Sequence, residues 1–222
     1  MNVLIFGASG MVGQGVMHES LLASDVDNIF VVGRRLLPEN NKRVTQIISE
    51  DFKNLPHTLD GLAKIDACFF CLGQSSSGMM EKQYRAITFD LTMSAAKALQ
   101  PNNPDMTFAY VSGAGTDSTE NGKSMWARVK GKTENALLKS NFANVYLFRP
   151  AIIQPLNGIR SKTMSYRIIH QLMTPLFPLL KHYFPNHILT TRDIGVAMLN
   201  TVRLGYKSQI LEVKDIANLA RQ

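Results

Sequence analysis

Two short clusters in this chain combine residue types and spacings that can do chemistry. The first is Gly7-Ala8-Ser9-Gly10-Met11-Val12-Gly13, near the start of 222 residues. Glycines at this spacing let the backbone turn tightly, admit a bulky anion where a Cβ would block it, and press a following helix onto a preceding strand. Helical periodicity begins at once, from Met11 to Leu22, so the run leads into a helix N-terminus. Free N–H groups and a partial positive charge there suit a pyrophosphate. A glycine triplet alone is a weak signal, but strand, glycine run and helix in that order point to dinucleotide binding.

The second cluster is Val31-Val32-Gly33-Arg34-Arg35. Arg34 lies roughly twenty residues beyond Gly13, where a carboxylate would hold the ribose 2′-hydroxyl of NAD and an arginine would meet a 2′-phosphate. No carboxylate is present, so Arg34 and Arg35 point to NADP(H); the alternative is a pair of surface arginines. A charge-assisted contact of about 1.5–3 kcal/mol corresponds to a tenfold to hundredfold preference for the phosphorylated cofactor.

The elements that must position these clusters alternate along the chain. Apolar runs at Asn2 to Phe6, Ile29 to Val32, Val44 to Ile48, Ala67 to Cys71, Phe108 to Val111, Val145 to Phe148 and Ile210 to Val213 read as strands. Helical patterns fall at Met11 to Leu22, at Glu81 to Leu99 with Pro101 as the stop, and at Ser124 to Leu138. A further helix starts from Thr191 as N-cap and ends at Gly205. The expected fold is one α/β domain spanning residues 1–222: a Rossmann-type doubly wound, mostly parallel sheet with helices on both faces and the cofactor across the carboxyl edge of the strands. Residues 156–187 break the rhythm with Pro175, Pro178 and Pro185 among many apolar residues, and read as an inserted cap.

Composition narrows the function classes. The chain is 45% hydrophobic and 18% charged, ordinary for a domain with one sizeable core. The formal charge of +7 comes from scattered lysines and arginines and not from one basic block, so nucleic acid is not an expected partner. No apolar run reaches the roughly twenty residues of a membrane span, and no signal peptide is recognised. Cys68 and Cys71 sit in one strand-like run, about 10 Å apart if extended and facing opposite sides, too far for a disulfide; they read as strand core, the alternative being a redox or metal pair. A reducing cytoplasm is the expected location.

Taken together, Gly7 to Gly13, Gly33-Arg34-Arg35, Asp51-Phe52, Phe70-Cys71-Leu72-Gly73, Val111-Ser112, Arg128-Val129-Lys130-Gly131 and Phe148-Arg149-Pro150 resemble the atypical short-chain dehydrogenase/reductases. Within them the chain is similar to the branch of Tat-interacting-protein-like oxidoreductases and NAD-dependent epimerase-like proteins, over nearly its whole length. The resemblance implies that Asp51, followed by Phe52, meets the adenine, and that Leu72 and Gly73 pass beside the adenosine ribose and pyrophosphate. It further implies that Lys130 binds the nicotinamide ribose and that Pro150 lines the nicotinamide.

Members that reduce or oxidise carbonyls use a tyrosine four positions before that lysine, helped by a hydroxyl after the fifth strand. This sequence departs at both places. Trp126 stands at the tyrosine position, and its indole N–H has no proton to exchange near neutral pH. The run Ser112-Gly113-Ala114-Gly115 leaves Ser112 to polarise a carbonyl, so Ser112 and Lys130 are the candidate catalytic residues. Tyr110 shares the face of Ser112 but lies deeper and reads as core; Tyr84, Tyr166 and the histidines have no motif to place them, and His18-Glu19 reads as surface. The cap repeats Ile168, Ile169, Leu172, Met173 and Leu176 at helical spacing. That pattern fits a cover for the sheet edge, a lid over an apolar substrate, a dimer face or reversible docking to a membrane surface. Two functions stay open: an NADP(H)-dependent oxidoreductase or epimerase-like enzyme acting on an unidentified small molecule, and a non-catalytic NADP(H)-binding regulator acting through a protein partner.

Overall fold

The computed structural model describes residues 1–49, 55, 59, 61–159 and 188–222. The strands are β1 (Asn2–Phe6), β2 (Asn28–Gly33), β3 (Val44–Ile48), β4 (Ala67–Phe70), β5 (Thr107–Val111), β6 (Asn144–Arg149), β7 (Ile152–Gln154), β8 (Ile188–Thr190) and β9 (Ile210–Glu212). Seven of them form one sheet in the order β3-β2-β1-β4-β5-β6-β9, and every pairing in it is parallel. β7 and β8 form a separate parallel pair.

The helices are α1 (Met11–Leu22), α2, α3 (Met125–Leu138), α4 (Thr191–Arg203) and α5 (Val213–Leu219); α2 joins Glu81–Arg85 to Leu91–Leu99 through a π-helical turn at Ala86–Asp90. Alternate strand residues feed two cores, as a period of two requires. Val3, Ile5, Phe69, Ala109 and Phe148 pack with Val16 of α1, Ile194 and Met198 of α4 and Ile216 of α5. Leu4, Phe6, Phe70, Phe108 and Leu147 face the other way, against Ala95 and Leu99 of α2 and Leu137 of α3. Both faces of the sheet are thus covered, which is why β4 is buried at every residue and reads as an unbroken apolar run. The doubly wound fold expected from the alternation is the fold observed.

Cys68 belongs to one core and Cys71 packs against the other, and both thiols are free. β9 stops at Glu212, because Val213 opens α5, a helix too short for its periodicity to stand out. The N-cap of α4 is Thr190, one residue before the expected Thr191. Thr190 Oγ1 accepts from Asp193 N at 3.0 Å, and Asp193 Oδ2 accepts from Thr190 N at 2.7 Å, a reciprocal capping box. Gly205, at φ +66°, closes the same helix as expected.

α1 and α4 lie against each other through small residues. A Cβ on Gly15 would sit 2.6 Å from Thr191 O, and one on Gly195 would sit 2.7 Å from Glu19 Cγ. Glu19 is accordingly buried rather than on the surface, with only His18 beside it half-exposed. Most of the proposed cap, residues 160–187, lies outside the described residues, and so does Tyr166.

Candidate functional site

The strand order reverses on either side of β1, with β2 and β3 to one flank and β4 onward to the other. Open α/β sheets bind ligands in the crevice at such a switch point, beyond the carboxyl ends of the strands. Gly7 leaves β1 there at φ +81°, and a Cβ on it would sit 2.7 Å from Leu72 N, so the glycine run lies directly on the chain that leaves β4. Gly10 N donates to Gly7 O at 2.9 Å and closes the turn. Gly13 packs back onto the same turn so tightly that a Cβ would fall 2.2 Å from Gly7 O.

α1 begins at Met11 with Gly10 as N-cap, no side-chain cap and no acid in its first turn. Its leading N–H groups therefore have no competing anion from the chain's own first turn. Ala8 is buried while Ser9, Met11 and Val12 are half-buried. This cradle, with no Cβ at the points of closest approach and a helix dipole behind it, fits a dinucleotide pyrophosphate.

Arg34 and Arg35 follow β2, whose Val32 is in register with Phe6 of β1, so they leave the sheet beside the glycine run. Both are exposed, and neither has a hydrogen-bond or ion-pair partner among the described residues. Leu72 is half-buried and Gly73 exposed at the mouth of the switch point. Asp51 and Phe52 lie outside the described residues.

The far half of the crevice is built from the ends of β5 and β6 and from α3. Ser112 N donates to Phe148 O and Ala114 N to Pro150 O, each at 2.9 Å, which extends the pairing of the two strands past their ends. Lys130 Nζ donates to the Ser112 carbonyl. The same Nζ lies 3.8 Å from where a Gly113 Cβ would be, and buried Pro150 presents its carbonyl 3.9 Å from that point. Burial pushes Lys130 down to about 8, while the nearby Glu134 carboxylate pushes it the other way.

Trp126, four residues before Lys130, lays its ring edge over Gly115: Cη2 is 3.6 Å from a Cβ built there. The Ser112 hydroxyl is turned inward. It lies 2.5 Å from Glu134 Oε1 and 3.1 Å from Phe148 O, and the residue is 3% exposed. Tyr110 is 1% exposed, and burial holds its phenol far above the ordinary range, as the core reading expects.

Sequence reasoning missed Glu134. It has no accessible surface, yet it is a carboxylate, and Arg149 binds it in a fork, with Nε 3.1 Å from Oε1 and Nη2 2.5 Å from Oε2. The legible signal was its place one helical turn after Lys130, on the face that also carries Leu137. Arg149 appeared in the sequence motif but without a role.

No family model matches the chain. It is 27% identical over 155 residues to the protein FMP52, mitochondrial, of Eremothecium gossypii, covering 69% of this chain and 66% of that protein. It is 25% identical over 166 residues to the Saccharomyces cerevisiae protein of the same name, covering 73% and 69%. The chain thus spans about two thirds of the length of these relatives.

Among solved structures, an oxidoreductase of the short-chain dehydrogenase/reductase family from Burkholderia thailandensis superposes with TM-score 0.72 at 14% identity, over 98% of this chain and 92% of that one. The enzyme WbmF of Bordetella bronchiseptica, in complex with NAD+, gives 0.67 at 16% identity over 99% and 76%. A short-chain dehydrogenase from Burkholderia cenocepacia, in complex with NADP, gives 0.67 at 12% identity over 98% and 91%. The fold is that of the NAD(P)-binding Rossmann reductases and epimerases. The expectation of a cytoplasmic location is corrected, because the FMP52 relatives are named mitochondrial. It rested on unpaired thiols, which are equally at home in any reducing compartment.

Proposed function

We propose that this chain is an NADP(H)-binding, oxidoreductase-like protein of the atypical short-chain dehydrogenase/reductase type that works without the usual tyrosine. One observation carries the reading: the glycine cradle at the switch point, closed to any side chain, with Arg34 and Arg35 exposed beside it and unpartnered among the described residues. Structural neighbours captured with NAD+ and with NADP support a nicotinamide dinucleotide. The narrower likeness to Tat-interacting-protein-like oxidoreductases rests on the sequence motifs.

Gly7 to Gly13 would hold the pyrophosphate, Arg34 and Arg35 the 2′-phosphate, Asp51 and Phe52 the adenine, and Leu72 and Gly73 the adenosine ribose. Lys130 and Pro150 would take the nicotinamide end. When bound, the dihydronicotinamide supplies a hydride equivalent. Lys130 is the one ammonium that the described residues bring to that end, and it can bind hydroxyls and hold a proton there. Ser112 contributes its carbonyl as the seat of Lys130, and its hydroxyl reaches a bound carbonyl only if it leaves Glu134.

A second reading, a regulator that binds NADP(H) without turning it over, is favoured by Trp126 at the tyrosine position and by that inward hydroxyl. A panel of carbonyl substrates separates the two: an enzyme consumes NADPH with some member, and a regulator binds it and consumes none. Titration calorimetry tests the cofactor. NADPH is expected to bind more tightly than NADH, and Arg34→Ala should remove most of the gap while leaving NADH nearly unchanged. Equal affinities in the unmodified protein overturn the role given to Arg34.

A further inference from the structure

The half of the crevice built from the ends of β5 and β6 and from α3 hangs on one fully buried carboxylate. Glu134 accepts three hydrogen bonds, from Ser112 Oγ at 2.5 Å, Arg149 Nε at 3.1 Å and Arg149 Nη2 at 2.5 Å. Arg149, its side chain only 11% exposed, continues to Ser118 Oγ at 2.6 Å and to Glu212 Oε1 at 3.2 Å. The pair therefore ties α3 to the ends of β5, β6 and β9 and to the loop between β5 and α3. As a stability device this is a poor choice, since desolvating both charges offsets most of their attraction and an apolar pair of like volume holds a fold at least as well. Its geometry serves something else. Ser112, gripped by its hydroxyl, presents its carbonyl to Lys130 Nζ.

We propose that Glu134 is the positioning residue of this site: by holding Ser112 and Arg149 it fixes the carbonyl on which Lys130 rests, and so keeps the Lys130 ammonium aimed into the crevice. The proposal deepens the cofactor reading and rests on it for the identity of the ligand. Ser112 is then a strut, its hydroxyl proton spent inward on a carboxylate.

Among the described residues, the ionisable groups packed around this end of α3 are Glu134 on α3 itself, Arg149 on β6, Glu212 at the end of β9, and the buried phenols of Tyr84 on α2 and Tyr110 on β5. Burial, with Tyr84 and Glu134 close by, holds the Tyr110 phenol far above its ordinary range, so it carries no charge. Among the charges, Glu134 is the one that pushes Lys130 upward, against the burial that brings it to about 8. Removing that charge must lower the pH at which Lys130 gives up its proton.

The test is a titration of 13Cε-lysine by NMR, with the Lys130 resonance assigned by its loss in Lys130→Arg. Glu134→Gln keeps the shape and an accepting oxygen and removes the charge. Its Lys130 midpoint is expected to fall by about one pH unit. A role that is only structural lowers the unfolding temperature and leaves the midpoint in place, and an unmoved midpoint in a folded Glu134→Gln protein overturns the proposal. Should that variant not fold, Glu134→Met together with Arg149→Met exchanges the pair for apolar volume; the same fall is expected, and its absence overturns the proposal equally.

The titration needs no cofactor, so it stands or falls separately from the functional reading. A double-mutant cycle on NADPH affinity then joins the two. Glu134→Gln should weaken binding about tenfold in the normal background and have no effect beside Lys130→Met, whereas additive losses contradict action through Lys130.

Discussion

The tightest point of the glycine cradle is Gly13, and a single methyl there probes it. In Gly13→Ala the new Cβ would lie 2.2 Å from Gly7 O, 2.7 Å from Gly7 C and 2.8 Å from Ala8 Cα. Comfortable contact needs about 3.5 Å, so the shortfall is roughly 1 Å. Every atom it meets is backbone, with no flexible side-chain end to swing aside. Relief requires the Gly7 carbonyl to move, and that carbonyl also receives the 2.9 Å bond from Gly10 N that closes the turn.

Overpacking of this kind costs about 2 kcal/mol, or roughly 4–8 °C in the unfolding temperature of a domain this size. The displaced turn should weaken NADPH binding at least about tenfold, the equivalent of about 1.4 kcal/mol. Two neighbours calibrate the reasoning. A Cβ on Gly10 would sit 3.3 Å from Gly7 O, a contact relieved by a few tenths of an ångström, and one on Gly73 meets nothing within 4 Å. Urea unfolding and NADPH titration across the three alanine variants should therefore rank Gly13 as most damaged, Gly10 as mildly damaged and Gly73 as unchanged in stability. A Gly13→Ala protein with wild-type stability and affinity, or a Gly73→Ala protein equally destabilised, refutes the geometry.

The same logic makes Gly131→Ala more disruptive still, because its Cβ would fall 1.7 Å from Asp117 O and drive the β5–α3 loop off the helix; urea unfolding should show a loss larger than that of Gly13→Ala. Trp126 is the chain's one tryptophan, so NADPH should quench its emission and draw energy transfer to the reduced nicotinamide. Unchanged emission at saturating cofactor contradicts contact between them. Trp126→Tyr restores a phenol four residues before Lys130 and should raise NADPH-dependent carbonyl reduction in a steady-state assay. A positioned acid contributes about 10²–10⁴-fold, and no gain at all would show that the helix does not present position 126 to the substrate.

The parallel sheet was legible because its strands are buried on both faces and write themselves as unbroken apolar runs, Leu4 to Phe6 and Cys68 to Phe70 among them. The cradle was legible because glycines are irreplaceable where backbone meets backbone, as at Gly7 and Gly13. Shorter features left no periodicity to find: β7 and β8 have three residues each, and α5 has seven. The π-helical turn at Ala86–Asp90 was invisible for a different reason, since one extra residue in a helix changes no composition. Thr190 and Thr191 are the same residue type side by side, and only hydrogen bonding to Asp193 decides between them. The direction of the Ser112 hydroxyl was beyond any linear pattern, because the partner that turns it, Glu134, reads in sequence as one more polar residue on an amphipathic helix.

The seat of α1 has a consequence for how the chain becomes competent. The helix that follows the glycine cradle rests on α4 through Gly15, Thr191, Glu19 and Gly195. Arg203 at the end of α4 also grips Asp25, 178 positions away in the chain, just beyond α1. During synthesis the glycine run, both arginines and Lys130 all leave the ribosome before α4 exists. A nascent chain can thus display every residue proposed to bind the cofactor while the helix beneath its cradle has nothing to lie on. Competence arrives in one late step, when distant segments close on each other, which is the slow kind of contact in folding. Until α4 emerges, the glycine motif is present and its support is not.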